Sequence, residues 1–250
     1  MIHSFLMLGQ SNMAGRGFKE DVEPINNPNL FVLRNGRWQN MYVPVNCDRS
    51  FSGVSLAESF ADEYSKAHNG VSVGLIPFAD GGTTLNQWKE GGLLFDNAIY
   101  AARLASRTSD VAGILWHQGE VECGDKSYPL YSDKITAIIR AFRKESILKN
   151  IPFIMGGLGE FLVNREDYSG KNYTKVNEAI KTVAECEPNC GFVSADGLKS
   201  NPDNLHFCSK SLREFGKRYF REYNRIADPN MVFTEKPRED GAVRSVMELL

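Results

Sequence analysis

The chain alternates between short apolar runs and longer amphipathic stretches over most of its length. Runs rich in branched apolar residues predict strands, and apolar residues at near-helical spacing predict helices. Strands that alternate with helices need crossover connections, which produce a mainly parallel sheet covered on both faces. We therefore predict a three-layer, doubly wound α/β fold with a five-stranded, mainly parallel sheet. The predicted strands cover residues 2–8, 71–78, 111–116, 151–156 and 192–194, and the predicted helices cover residues 55–68, 95–107, 130–148, 176–187 and 209–223.

Two local signals refine this pattern. Asn35-Gly36 is a strong hairpin signal, because both residues tolerate the positive φ angles of a tight turn. It lies between apolar segments at residues 30–34 and 37–41, so we predict a small β-ribbon that interrupts the alternation there. Ser55, with a glutamate three positions later, is a capping-box pattern and marks the start of a helix.

The regular alternation ends after Tyr223. We predict a single domain over residues 1–225, followed by a C-terminal extension over residues 226–250 that packs on the domain or is partly flexible. Within that extension, the pattern of residues 243–250 is compatible with a short closing helix. The chain shows no internal repeat and no low-complexity segment that would indicate a second domain.

Composition narrows the class of protein. The 250 residues are 42% hydrophobic and 24% charged, with a formal net charge of −2, which excludes a generally basic nucleic-acid-binding protein. No apolar run reaches the roughly 18 residues that a membrane-spanning helix needs. The N-terminus lacks the basic region and cleavage site of a signal peptide, and five cysteines fit free thiols in a reducing compartment. We therefore expect a cytoplasmic protein.

Four polar clusters follow predicted strands. In an open parallel sheet, ligands bind beyond the carboxyl ends of the strands, so clusters at those ends are the first candidates for chemistry. They lie at residues 9–13, 80–83 and 117–120, directly after the first three strands, and at residues 203–206, a short loop after the last strand.

Ser11 lies where the first strand turns. A serine at such a turn is often a helix N-cap, but the same position exposes its hydroxyl beside free backbone N–H groups that can stabilise an oxyanion. A serine nucleophile needs a base, and His206 follows the last strand on the same edge. Asp203, three residues before His206, is either a turn residue or the carboxylate that holds the second imidazole nitrogen.

The other candidate residues at this edge of the sheet also have two interpretations each. Gly81 and Gly82 form a tight turn, or they admit substrate and donate a backbone N–H to an oxyanion. Gln118 is an oxyanion donor or makes an ordinary loop hydrogen bond. His117 and Glu120 have the spacing of a partial metal site, but the further ligands of a closed site are not evident nearby, so we predict no metal.

Two kinds of side chain near these tips suit sugar binding. Glu120 is a candidate to bind a sugar hydroxyl or, alternatively, to orient a histidine. Trp88 and Trp116 are either stacking platforms for sugar rings or core aromatics, and we favour the core for Trp116.

Four motifs of the chain match a known family in the expected order. They are G-Q-S-N-M at residues 9–13, G-G-T at 81–83, W-H-Q-G-E at 116–120 and D-N-L-H at 203–206. Together they resemble the SGNH-type hydrolases, and within them the sialate O-acetylesterase-like group that includes the carbohydrate esterase family 6 acetyl xylan esterases. The resemblance covers residues 2–225 and implies the flavodoxin-like SGNH hydrolase fold.

The resemblance implies roles for individual residues. Ser11 corresponds to the nucleophile and His206 to the general base. Asp203 is implied as the primary acidic partner of His206, with Glu120 as the second candidate. The implied oxyanion hole consists of the Ser11 N–H, one glycine of the G-G-T turn and the side-chain amide of Gln118. The residues expected to bind the oxyanion or the substrate are Gln10, Gly81, Gly82 and Gln118.

The expected function is that of a serine esterase that removes O-acetyl groups from xylo-oligosaccharide-type or sialic-acid-type carbohydrates through an acyl-enzyme. The resemblance implies no metal or organic cofactor. The expected partner is a small acetylated sugar or oligosaccharide, with neither nucleic acid nor membrane involved. Two alternatives remain: a serine esterase that acts on lipid or aryl esters, and a non-catalytic carbohydrate-binding protein with the same fold.

Overall fold

The strands of the chain form one mixed sheet. The computed structural model describes residues 1–167, 169–234 and 236, with the backbone of residues 243–244. Within these residues the sheet has eight strands in the order β7-β6-β5-β1-β4-β2-β3-β8. They are β1 (Ile2–Gly9), β2 (Leu30–Arg34), β3 (Arg37–Asn40), β4 (Ser72–Pro77), β5 (Asp110–His117), β6 (Phe153–Gly156), β7 (Cys190–Val193) and β8 (Val243–Arg244).

Five of these strands are the predicted ones. β7, β6, β5, β1 and β4 are adjacent and parallel, in the order of a flavodoxin-like, doubly wound sheet. The predicted fold class is confirmed, but the predicted strand count of five is too low. The predicted ribbon is present and extends the sheet: β2 pairs in parallel with β4, and β3 and β8 follow it outwards. The sequence of a ribbon does not show which sheet edge it will join.

Helices cover both faces of the sheet. In the described part of the chain the α-helices are α1 (Ser11–Ala14), α2 (Leu56–Ala67), α3 (Leu93–Ala105), α4 (Tyr131–Phe142), α5 (Tyr173–Cys186) and α6 (Ser209–Ile226). The parallel connections through α3, α4 and α5 all advance in one direction along the sheet, so right-handed crossovers place these three helices on the same face. Phe60 and Tyr64 of α2 pack against Phe5 of β1. α6 packs against α2. None of these helices has both the length and the apolar character needed to cross a bilayer.

Both local signals are confirmed. Asn35 and Gly36 have φ angles of 49° and 75°, as a type I′ turn requires, and the strands on either side pair directly across it. At the start of α2, the Ser55 hydroxyl caps the helix, and the carboxylate of Glu58 accepts the backbone N–H of Ser55. Each signal depends only on neighbouring residues, which is why the sequence alone reveals it.

The first part of the C-terminal extension packs on the amino ends of β1 and β5. The ring of Phe233 stacks on that of His3, with centroids 3.7 Å apart. The ammonium group of Lys236 lies 3.1 Å from the carboxylate of Asp110. These contacts lie at the end of the sheet opposite to the predicted polar clusters.

The prediction of a closing helix over residues 243–250 is wrong for its first two residues. Val243–Arg244 instead pairs in parallel with β3 and forms β8. The remaining residues of that prediction, 245–250, lie outside the described residues.

α2 and α6 are in close contact at Gly216. A Cβ at this position would lie 2.1 Å from the carbonyl oxygen of Leu56 and 2.2 Å from the hydroxyl of Ser59, so only glycine permits the contact. The two helices are also joined by an ion pair between Arg213 and the fully buried carboxylate of Glu58. Since α6 begins directly after the last polar cluster, this packing fixes the end of that loop.

Gly216→Ala is expected to lower the free energy of unfolding by about 1–3 kcal/mol, because the added methyl group forces α2 and α6 apart. Alanine is otherwise better than glycine inside a helix by about 0.5–1 kcal/mol, so the sign of the change is informative. Urea unfolding measures it. Lys217→Ala, at the exposed neighbouring position, is the control and should change stability by less than about 0.5 kcal/mol. A Gly216→Ala variant as stable as the unmodified protein would contradict the close contact.

Candidate active site

Four loops at the carboxyl edge of the sheet surround one cavity. They follow β1, β4, β5 and β7, and they contain the four predicted polar clusters. The cavity has a volume of about 420 Å³, and Ser11, Gly82, Glu120 and His206 are among the residues that line it. A larger hollow of about 590 Å³ beside the β2–β3 turn contains none of these clusters. The smaller cavity lies at the switch point of the sheet, where doubly wound folds bind ligands.

Ser11 is the first residue of α1, directly beyond the tip of β1. The chain turns at Gly9, where φ is 119° and a Cβ would lie 2.1 Å from the carbonyl oxygen of His117, so this position requires glycine. Ser11 is not the N-cap, because Gln10 occupies that position. The hydroxyl of Ser11 instead lies 3.0 Å from Nε2 of His206.

Asp203 holds the other side of the His206 ring. Nδ1 of His206 lies 2.6 Å from Oδ2 of Asp203, and Oδ1 of the same carboxylate accepts the backbone N–H groups of Leu205 and His206. Burial raises the pKa of Asp203, but these backbone and ring hydrogen bonds lower it by more, so the carboxyl group ionises more readily than usual. Asp203 is therefore both the turn residue and the histidine partner. A hydroxyl, an imidazole and a carboxylate linked in this order can activate a nucleophile.

Glu120 lines the cavity but makes no hydrogen bond to His206 among the described contacts. Its Oε1 accepts hydrogen bonds from Nε2 of His117, at 3.1 Å, and from the side-chain amide of Asn12. Burial raises the pKa of Glu120, but the adjacent His117 and the two hydrogen bonds lower it by more. The described residues contain no group of three or more potential metal ligands, and the His117–Glu120 pair is an internal hydrogen bond.

Asn12 connects Glu120 to the loop that carries His206. Its side-chain NH₂ group also donates to the carbonyl oxygen of Leu205, at 3.2 Å, and its Oδ1 accepts the backbone N–H of Phe207 at 3.0 Å. The two contacts are made with the residues directly before and directly after His206. Asn12 belongs to the G-Q-S-N-M motif, but the sequence indicated no role for it, because its partners are 108 or more positions away.

Three of the residues that line the cavity, Gln10, Ser11 and Gly82, have a donor that remains for a ligand. The backbone N–H of Ser11 begins α1 and has no partner inside that helix. Gly81 donates its N–H to Oδ2 of Asp48, at 2.9 Å, whereas the N–H of Gly82 has no hydrogen bond within the described residues. The side-chain oxygen of Gln10 accepts a backbone N–H of the loop after β5, so its NH₂ group is the end left to donate.

The structure does not bring the side chain of Gln118 to the cavity. Gln118 is fully buried, and its Nε2 donates to the carbonyl oxygen of Thr83 at 3.2 Å. Its own backbone carbonyl accepts the hydroxyl of Tyr131 at 2.7 Å. The sequence predicts that this amide donates to an oxyanion in the cavity. In the structure it instead joins the loop after β5 to the loop after β4.

Trp88 and Trp116 belong to the core. Both are fully buried, and they pack edge to face with ring centroids 5.4 Å apart. The indole N–H of Trp88 donates to the hydroxyl of Thr83 at 3.0 Å. The core interpretation of Trp116 is confirmed, and neither ring can stack on a sugar.

A buried ion pair supports the cavity from the side of the loop after β3. Arg16 and Asp48 are joined at 2.6 Å, with each side chain 5% exposed, and Asp48 also accepts the N–H of Gly81 and the hydroxyl of Ser52. Burial raises the pKa of Asp48, but the hydrogen bonds and the charge of Arg16 lower it by more. Sequence reasoning missed this pair, because no local pattern links two residues 32 positions apart.

Comparison with known proteins shows the family of this chain. The family described as "Carbohydrate esterase, sialic acid-specific acetylesterase" matches residues 1–225. A probable carbohydrate esterase of Arabidopsis thaliana is 27% identical over 235 residues, which cover 85% of this chain and 86% of that protein.

Two solved structures agree with the fold. The structure of the Arabidopsis thaliana protein aligns with a TM-score of 0.81 and 24% identity over 90% of this chain and 99% of that chain. A carbohydrate acetylesterase of Xanthomonas citri aligns with a TM-score of 0.68 and 19% identity over 90% of this chain and 56% of its own. Because the family match covers nearly the whole described chain, the resemblance inferred from the four motifs is confirmed. The chain belongs to the sialic acid-specific acetylesterase family of carbohydrate esterases and is a carboxylic ester hydrolase that acts on acetyl esters of carbohydrates.

Proposed function

We propose that this protein is a serine esterase that removes O-acetyl groups from carbohydrates through an acyl-enzyme intermediate. The observation that carries the proposal is the hydrogen-bonded chain of Ser11, His206 and Asp203 at the cavity wall, with distances of 3.0 and 2.6 Å. A free serine hydroxyl is a poor nucleophile at neutral pH. An imidazole that is hydrogen-bonded to the hydroxyl and oriented by a carboxylate supplies the missing base.

Each half of the reaction uses the same groups. Oγ of Ser11 attacks the acetyl carbonyl carbon while Nε2 of His206 accepts the hydroxyl proton. The tetrahedral intermediate collapses, the sugar oxygen leaves, and His206 returns the proton to it. Water then attacks the acetyl–Ser11 ester with His206 again as base, which releases acetate and regenerates Ser11. Asp203 stays ionised and stabilises the imidazolium formed between these steps.

We assign the oxyanion to the backbone N–H groups of Ser11 and Gly82. The N–H of Gly81 is already donated to a buried carboxylate, which favours Gly82 as the glycine donor. The NH₂ group of Gln10 is the third candidate donor, in place of the buried amide of Gln118. A donor aimed at the developing charge contributes about 3–4 kcal/mol to transition-state stabilisation, by analogy with mutational data.

We assign the role of histidine partner to Asp203 and a positioning role to Glu120. Asp203 contacts the ring of His206 directly, whereas Glu120 acts on the same loop only through Asn12. The two carboxylates therefore affect catalysis differently: one stabilises the charge on the ring, and the other keeps its loop in place.

The substrate class of the proposal is an acetylated sugar or oligosaccharide of the xylo-oligosaccharide or sialic-acid type. Its support is the family description, which names sialic acid, and the Xanthomonas citri relative, which is described as a carbohydrate acetylesterase. The mechanism uses only side chains and backbone groups of this chain, so the proposal includes no metal or organic cofactor.

Ser11→Ala is expected to lower kcat/KM for p-nitrophenyl acetate by about a thousandfold or more, because the nucleophile is lost. Initial rates and thermal unfolding measure activity and folding separately. A serine-directed phosphonate should label the unmodified protein at Ser11 and fail to label the variant. Ser146→Ala, at an exposed position on another loop, is the control and should retain both labelling and rate. Activity of Ser11→Ala within tenfold of the unmodified protein would contradict the nucleophile assignment.

Asp203→Asn is expected to lower kcat by about 10²–10⁴, because the amide neither favours the correct imidazole tautomer nor stabilises the imidazolium. Glu120→Gln should lower kcat by less than Asp203→Asn, since it disturbs His206 only through Asn12. Steady-state kinetics of both variants on one acetyl ester measure the difference. A larger loss for Glu120→Gln would instead identify Glu120 as the principal partner, and equal small losses would show that neither carboxylate has the assigned role.

A further inference from the structure

Phe51 presents an aromatic ring at the mouth of the cavity. The residue is 70% exposed, although it lines the same cavity as Ser11 and His206. The two tryptophans that the sequence offered as sugar platforms are fully buried. The proposed chemistry gives Phe51 no role, and core packing does not account for its position.

Hydrogen bonds of the residues before and after Phe51 hold its loop in place. The backbone N–H of Ser52 donates to the carbonyl oxygen of Arg49 at 3.1 Å, and the N–H of Arg49 donates to the hydroxyl of Ser52 at 3.2 Å. The N–H of Gly53 donates to the carbonyl oxygen of Gly15, at 3.1 Å, just beyond α1. The turn is thereby fastened to the segment that begins with the proposed nucleophile.

Arg16 covers one side of the ring. Its guanidinium carbon lies 5.3 Å from the ring centroid of Phe51, within the range of a cation–π contact. Arg16 is in turn fixed by Asp48, at 2.6 Å, and by the carbonyl oxygen of Gly15, at 2.8 Å. Arg16 thus supports one face of the Phe51 ring, and the exposed side of the ring is available to a ligand.

We propose that Phe51 is the platform on which the sugar ring of the substrate stacks while its acetyl group reaches Ser11. This inference rests on the proposed function. A pyranose ring has a face of C–H groups whose hydrogens carry small positive charges, and the face of an aromatic ring is negative. Polar residues that also line the cavity, Arg49, Asp167 and Ser169, suit the sugar hydroxyls. Phe51 therefore determines the preference for sugar esters over simple alkyl esters.

The test compares two esters in the same variants: methyl 2,3,4-tri-O-acetyl-β-D-xylopyranoside and ethyl acetate. Phe51→Ala is expected to lower the ratio of kcat/KM for the sugar ester to that for ethyl acetate by about tenfold, chiefly through a higher KM for the sugar ester. Phe51→Trp should preserve the ratio, because it keeps an aromatic face. Phe51→Leu should lose nearly as much as Phe51→Ala, although it keeps apolar area. Tyr100→Ala, an exposed aromatic outside this cavity, is the matched control.

The possible failures are distinguishable. An unchanged ratio in Phe51→Ala, with thermal unfolding as in the unmodified protein, would overturn the platform and leave the proposed function standing. Equal selectivity of Phe51→Leu and the unmodified protein would overturn stacking in favour of simple apolar contact. If the unmodified protein hydrolyses ethyl acetate but neither this sugar ester nor an O-acetylated sialic acid, then the carbohydrate assignment and the platform both fail. If Ser11→Ala hydrolyses the sugar ester as fast as the unmodified protein does, the serine mechanism fails, and the results for the Phe51 variants do not change that conclusion.

Discussion

The hydrogen bond between Ser11 and His206 joins two distant parts of the chain. Its two residues are 195 positions apart in the chain. β1 and β7, which precede them, end at the same edge of the sheet but are separated by β5 and β6. The loop after β7 must therefore cross two strands and still place an imidazole nitrogen within hydrogen-bond distance of one hydroxyl. Since misplacement of about 1 Å can greatly slow catalysis, that loop needs firm attachment at its end.

Buried polar side chains provide this attachment. Asn12, next to Ser11, bonds to the residues on both sides of His206, and Glu120 holds Asn12 in turn. On the other side, Asp48 joins Arg16 to the turn after β4. These hydrogen bonds favour the observed arrangement, because another one would leave further buried donors and acceptors without partners. Ser11 and His206, the proposed reactive groups, line the cavity beside these contacts.

Much of the fold follows from local sequence patterns. Apolar runs and helical spacing located the five parallel strands, and Asn35-Gly36 located the hairpin. The wider sheet did not follow, because pairing of the ribbon with β4 depends on contacts between distant segments. The same distinction applies to the site. Ser11, His206 and Asp203 occur in motifs that follow predicted strands. Arg16, Asp48 and Phe51 belong to no such motif. Gln118 occurs in a specific motif, yet burial beneath the turn at Thr83 gives its amide another partner.

The pairing of β8 with β3 has a consequence for behaviour in concentrated solution. Without it, Trp38 and Gln39 would present unpaired backbone groups at one border of the sheet, and such borders can recruit strands from other molecules. β8 pairs with both positions. The chain thereby uses its own segment Val243–Arg244 to block part of the surface through which copies could join edge to edge. This safeguard against self-association lies four strands away from β1, the strand that leads to Ser11.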